Sequence, residues 1–152
     1  MSILVRETRE DELLAWLELH QYLHSADDPV PDVDVLMRVW CEMLDDPKLH
    51  CLVVEMDDKL VAACVLVVIP NLTRGARPYG LIENVVTHTD YRRRGLATQL
   101  LHSALDMAWS QQCYKVMLLT GRKDEGVFRF YEGAGFKRDV KTGFIAYPPE
   151  PA

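Results

Sequence analysis

Apolar residues recur along this chain with two different periods, and the switches between them mark its elements. Ile3 to Glu7 is a short β-prone run and predicts a first strand. Thr8, or one of the acidic residues after it, can cap a helix. In that helix Leu13, Leu14, Trp16, Leu17, Leu19 and Leu23 make a broad apolar face. The stretch 25–31 (SADDPVP) is loop by composition. A second helix starts at Asp32 or Asp34 and runs to about Leu44, with Val35, Leu36, Val39, Trp40 and Met43 on its apolar side. Asp45-Asp46-Pro47 ends it. Residues 50–56 and 60–69 read as two strands about the turn Asp57-Asp58-Lys59, a hairpin signal. The polar segment 71–78, with Gly75 and two arginines, reads as a loop.

The strongest pattern lies at 79–112. Leu81, Val85 and Thr87 alternate with Ile82, Val86 and His88, which predicts a strand with Glu83 and Asn84 as its polar exceptions. From Gly95 onward Leu96, Leu100, Ala104, Leu105, Ala108 and Trp109 recur at helical spacing. A strand therefore feeds a short basic loop, and the loop feeds a long helix. Residues 113–120 read as a buried strand, and a short helix begins near Asp124. Residues 136–140 and 143–147 read as a last pair of strands, followed by a frayed Pro-rich tail. The order β-α-α-β-β-β-α-β-α-β-β predicts a mixed α/β fold with an antiparallel hairpin region and one β-α-β crossover. No repeat or second domain is visible, so 1–152 reads as a single domain.

Composition narrows the function. The chain is 49% hydrophobic and 26% charged, ordinary for a soluble globular protein. Its formal net charge of −6 argues against nucleic acid and anionic membranes as partners, which favour basic surfaces. Arg92, Arg93 and Arg94 are then a local positive spot on an acidic protein. No signal peptide is evident, and the longest apolar run, 60–70, is too short to span a bilayer. The expectation is a cytoplasmic protein. Cys41, Cys51, Cys64 and Cys113 occur singly, which predicts buried free thiols rather than disulfides. The five histidines lack metal-ligand spacing, so no metal site is expected.

Three arginines and a glycine at a helix N-terminus suit an anion, because free N–H groups and the positive end of the helix dipole point there. Gly95 has no Cβ, so backbone can approach a phosphate closely. A P-loop would need Gly-Lys-Ser/Thr, and a Rossmann site G-x-G-x-x-G; neither is present. Arg92-Arg93-Arg94-Gly95-Leu96-Ala97 instead resembles the pyrophosphate-binding pattern (Arg/Gln)-x-x-Gly-x-(Gly/Ala) of the GCN5-related N-acetyltransferases. Phe130-Tyr131-Glu132-Gly133-Ala134-Gly135-Phe136 resembles a second landmark of that family. The resemblance covers 79–136 and points to the bacterial small-molecule branch.

The resemblance implies a sheet whose two central strands splay apart, with the pantetheine arm of acetyl-CoA in the gap. It implies direct acetyl transfer, within a ternary complex, to a primary amine. Backbone groups of Val85, Val86 and Thr87 would pair with the pantetheine like an added strand, with the Val86 N–H as the oxyanion donor. Backbone of Arg92, Arg93, Arg94, Gly95, Leu96, Ala97 and Thr98 would cradle the pyrophosphate. Glu83, an acid in an apolar strand, would take the amine proton; a solvent-facing or arginine-paired Glu83 is the bland alternative. Tyr131 would protonate the leaving thiolate, since a phenol can donate; a core aromatic is its alternative. The family usually has Asn near the start of this last helix as a cofactor contact. Here Asp124 stands at that cofactor-contacting place, and it also suits an N-cap. His88 is a weaker alternative base.

Acceptor selection would lie in 21–40, 71–78 and 137–143, where Tyr22, Trp40 and Tyr79 can wall a pocket and His24, Asp27, Asp28, Arg74 and Arg77 can bind polar groups. Ile82-Glu83-Asn84-Val85-Val86 and Cys113-Tyr114-Lys115-Val116 also resemble glucosamine-phosphate N-acetyltransferases. A protein or peptide amine, and a non-catalytic acyl-CoA-binding module, are further alternatives. A homodimer is common in the family.

Overall fold

A computed structural model describes residues 2–23 and 29–151. They form two compact units, divided after Leu118. His24, Asp27 and Asp28 lie outside the described residues.

The first unit is a five-stranded sheet in the order β1-β2-β3-β4-β5. β1 (Ile3–Glu7), β2 (Leu49–Met56), β3 (Lys59–Ile69) and β4 (Tyr79–Thr87) pair antiparallel in sequence. β5 (Val116–Leu118) adds in parallel on the far side of β4. The mixed α/β fold read from the pattern is borne out. Asp57 and Asp58 close the β2–β3 hairpin with φ of 54° and 60°, the left-handed pair that a tight turn between twisted strands demands.

Helices cover both faces. α1 (Leu13–His20) and α2 (Val33–Asp45) pack on one, where Trp16, Leu19 and Trp40 meet Cys51, Val53, Ala63, Val65 and Val86. The opposite-parity residues Leu52, Val54, Cys64 and Leu66 are equally buried, and α4 (Leu96–Ser110) packs on β2, β3 and β4. Period two on the strands and period 3.6 on the helices thus converge on two apolar layers. The expected helical stripes were too wide. Leu14, Val39 and Trp109 are exposed, whereas Leu101, outside the expected stripe, is fully buried. No described helix is long and apolar enough to cross a membrane.

The start of α1 is tied to the sheet through Glu12. Its carboxylate accepts from both terminal nitrogens of Arg6 at 2.8 and 2.7 Å and from the Arg9 N–H at 2.7 Å. So an acidic residue after Thr8 does the capping, in a 3-10 turn (Glu10–Glu12) just before α1. The bonds to Arg6 hold the Glu12 carboxyl at about 2, below its usual range. A depressed carboxyl stabilises the fold above its unfolded value near 4.5 and loses that stability as pH falls toward about 2. Glu12→Gln should therefore cost on the order of 2 kcal/mol at pH 7. Its deficit in melting temperature should shrink as the pH is lowered through that window. Thermal melts across pH check this.

Two expectations in this unit change. Residues 73–76 are not open loop but a one-turn element, α3 (Thr73–Ala76), with φ of 56°, 73° and 58° at Arg74, Gly75 and Ala76. Asn71 holds this left-handed turn, donating through Nδ2 to the Thr73 and Arg77 carbonyls. The strand expected over 113–120 shrinks to three residues, which pair with Gly80, Leu81 and Ile82 of β4.

In the second unit, α5 (Glu125–Gly133) starts at Asp124, whose Oδ1 accepts the Val127 N–H at 2.9 Å. The N-cap expected of Asp124 is present. Arg138 returns to this helix and donates to Glu125 at 3.0 Å. The final strand pair expected over 136–147 is absent among the described residues, and Val140, Phe144, Ile145 and Tyr147 are exposed. Strand propensity describes fit to a half-buried pleated surface, and these side chains have no such surface beneath them.

Candidate functional site

The chemistry expected of β4 depends on where its side chains point, and one irregularity decides that. Val65 pairs with Glu83 and Ala63 with Val86, so one residue of β3 spans two of β4, Asn84 and Val85. This is a β-bulge. Asn84 sits at φ 54°, a left-handed value that Asn tolerates better than most residues. Without a bulge, residues three apart face opposite sides of a strand. With it, Glu83 and Val86 both face the α1/α2 side, since their partners Val65 and Ala63 lie in that core. The simple alternation read across 81–88 therefore breaks at Asn84. The sequence carried a signal: Asn is depleted in strands and accommodates left-handed backbone.

Beyond Ile82, β4 runs five residues, Glu83 to Thr87, past its last pairing with β5. That edge of the strand is left without a neighbouring strand within this unit. Glu83 is exposed and Val86 is buried at 4%. Asn84→Val should be more damaging than Asn84→Gly. A β-branched side chain at positive φ costs about 1–2 kcal/mol, and relaxing to a regular strand turns Glu83 and Val86 to opposite faces. The expected result is a lowered melting temperature and lost turnover for Val, with the Gly variant near wild type in both.

The loop after β4 begins with a 3-10 turn (Thr89–Tyr91) capped by His88. Arg92 Nε donates to the Thr87 carbonyl at 3.3 Å, tying the loop to the end of the strand. So the first arginine of the motif has a structural contact that the pattern did not predict. Arg93 has φ 63°, and Arg92, Arg93 and Arg94 are all exposed. Gly95 is the N-cap of α4 at φ 75° and offers no side-chain cap. The first-turn N–H groups of Leu96, Ala97 and Thr98 therefore face outward without one. A Cβ placed on Gly95 meets nothing within 4 Å. Open space, uncapped donors and three exposed guanidinium groups fit a pyrophosphate.

Other candidates sort differently. Tyr131 lies on α5, in edge contact with Phe130 at 4.9 Å and Phe136 at 6.2 Å. Trp40 is no pocket wall: it is 2% exposed, tilted against Trp16, and its Nε1 donates to the Glu10 carbonyl at 3.0 Å. Tyr79 begins β4, roughly 20 Å along the strand from Val86. It packs with Tyr114 under the Lys115 ammonium. Arg77 is spent on the Arg74 carbonyl and the Tyr114 ring. Burial pushes the Cys51 thiol up to about 11 and the Cys64 thiol up to about 12, so neither supplies a thiolate at neutral pH.

A family model described as the acetyltransferase (GNAT) family matches residues 9–136. A putative acetyltransferase from Agrobacterium tumefaciens str. C58 is 41% identical, with a TM-score of 0.89 over 95% of this chain and 99% of that one. Glucosamine 6-phosphate N-acetyltransferase of Trypanosoma brucei brucei is 37% identical over 79 residues, 52% of each chain. The aligned stretches span about half the length of the curated relatives or less. The aminoglycoside acetyltransferase AAC(6')-Iy, solved with a CoA bisubstrate analogue, shares the fold with a TM-score of 0.79 at 16% identity over 98% of this chain and all of that one. With the family match covering β2 to β5, the bulge in β4 and the arginine loop together, this chain belongs to the acetyltransferase (GNAT) family.

Proposed function

We propose that this protein transfers an acetyl group from acetyl-CoA to a primary amine of a small molecule, by direct transfer in a ternary complex. The observation that carries the reading is the bulge in β4. It sets an exposed carboxylate, Glu83, on the same face as the Val86 side chain, beside an edge open for an extended ligand. Acetyl-CoA supplies the activated thioester. Backbone of Arg92, Arg93, Arg94, Gly95, Leu96, Ala97 and Thr98 holds its pyrophosphate, and the open edge at Val85, Val86 and Thr87 pairs with the pantetheine amides. A backbone N–H that points to that open edge stabilises the negative charge that develops on the acetyl oxygen. The Val86 N–H itself is turned to β3 by the register that pairs Val86 with Ala63 and bonds the His88 N–H to the Val61 carbonyl. Glu83, directly or through a water, takes the proton that keeps the amine from attacking. Tyr131 of α5 returns a proton to the departing sulfur, a role supported by the Phe130-Tyr131-Glu132 resemblance. Burial holds the Cys51 and Cys64 thiols protonated, so neither of these two serves as an acetyl-cysteine relay.

A panel of small amines, with glucosamine 6-phosphate among them, tests the reading by thiol release from acetyl-CoA. Amine-dependent release supports it, whereas tight acetyl-CoA binding without release to any amine favours a binding module. Within an active pair, Glu83→Gln should lower turnover most at low pH, where the amine is hardest to deprotonate, and leave acetyl-CoA affinity unchanged. A pH–rate profile superimposable on wild type would remove Glu83 as the base.

A further inference from the structure

We propose that Tyr22 is a positioning residue for the acetyl-CoA loop, acting through the ring of His88. This rests on the acetyl-CoA reading above. His88 directly follows β4, and its Nδ1 accepts the Asp90 N–H at 3.1 Å, capping the turn that leads into the arginines. An accepting Nδ1 carries no proton, so the bonding pattern assigns the ring proton to Nε2. Nε2 lies 3.3 Å from Tyr22 Oη, and His88 therefore donates to the Tyr22 hydroxyl.

The ring contacts continue in one row. Tyr22 and His88 pack with centroids 4.7 Å apart, Tyr91 meets His88 edge-on at 5.4 Å, and the Arg94 guanidinium lies 5.0 Å over Tyr91. Tyr22 stands in the turn after α1, 66 residues before His88. Arg94 precedes Gly95, the N-cap of α4. Four side chains thus connect the end of α1 to Arg94 of the proposed pyrophosphate cradle. Tyr22 is 42% exposed, so the row lies at the surface and not in the core. Its value is in orienting His88, Tyr91 and Arg94 before the ligand arrives, which lowers the ordering cost of binding.

Calorimetric titration of acetyl-CoA into wild type, Tyr22→Ala, Tyr22→Phe, His88→Ala and the Tyr22→Ala/His88→Ala double variant tests this. Tyr22→Ala should raise Kd about three- to tenfold, the range of one aromatic pair. Its ligand-free melting temperature should stay within about 2 °C of wild type, as for other exposed positions. Tyr22→Phe keeps the ring and should recover most of the affinity. The double variant should bind no more weakly than His88→Ala alone, because Tyr22 acts only through His88. A wild-type Kd for Tyr22→Ala, or losses that multiply in the double variant, would overturn the proposal while leaving the acetyl-CoA reading intact. Failure of the wild type itself to bind acetyl-CoA would sink both together.

Discussion

Gly95→Glu should abolish measurable acetyl-CoA binding without unfolding the protein. Gly95 has φ 75°, so any side chain there carries left-handed strain of about 1–2 kcal/mol. That strain is shared by Gly95→Ala, which makes Ala the control. A Cβ meets nothing within 4 Å, so neither substitution collides with the protein itself. What separates them is the ligand. A carboxylate at the start of α4 occupies the space of the pyrophosphate and repels it, and a like-charge contact of that kind costs several kcal/mol. Gly95→Glu should therefore bind at least about 10²-fold more weakly than Gly95→Ala. Equal affinities for the two variants would mean that the pyrophosphate does not lie here.

Tyr131→Phe should slow acetyl transfer by roughly 10²-fold or more, in the range of general acid effects. The substitution keeps the ring that meets Phe130 and Phe136 and removes only the hydroxyl. If Tyr131 served packing alone, stability would shift by about 1 kcal/mol at most and the rate would hold. As donor to the leaving sulfur, it changes the rate while acetyl-CoA affinity and melting temperature stay near wild type, because that proton is used only in the transition state. Product release can mask a chemical defect at steady state. Single-turnover transfer with saturating amine is thus the right measurement. A rate within about twofold of wild type, below any general acid effect, would return Tyr131 to a packing role.

Much of the fold was legible because periodicity reports burial directly. β1 through β4, the order of strands and long helices as far as α5, and the strand-loop-helix around Arg92 to Gly95 follow from where apolar residues recur. Stripe widths were less legible: Leu14 and Trp109 are apolar yet exposed, since a helix's rim depends on what packs beside it. The ends of the chain's pattern failed for a different reason. Residues 136–147 have strand propensity, but propensity supplies no partner ladder. At the site, residue types pointed to Glu83, Val86 and the arginine loop, yet the relation between Glu83 and Val86 was misread. A period of two assumes a regular strand, and the left-handed Asn84 resets the phase. The Tyr22–His88 contact was invisible because residues so far apart in sequence meet only in the fold. Arg92's bond to the Thr87 carbonyl was hidden as well, since the motif reports only a charge at a loop position.

Amide hydrogen exchange with and without acetyl-CoA tests the central claim, that the cofactor binds along the open edge of β4 and at the start of α4. Each backbone N–H that bonds the ligand should exchange more slowly when it is bound. The account predicts protection concentrated at Val85 and Thr87 and at residues 92–98, with β1 and the β2–β3 hairpin turn unchanged. Binding that protects neither segment would contradict it.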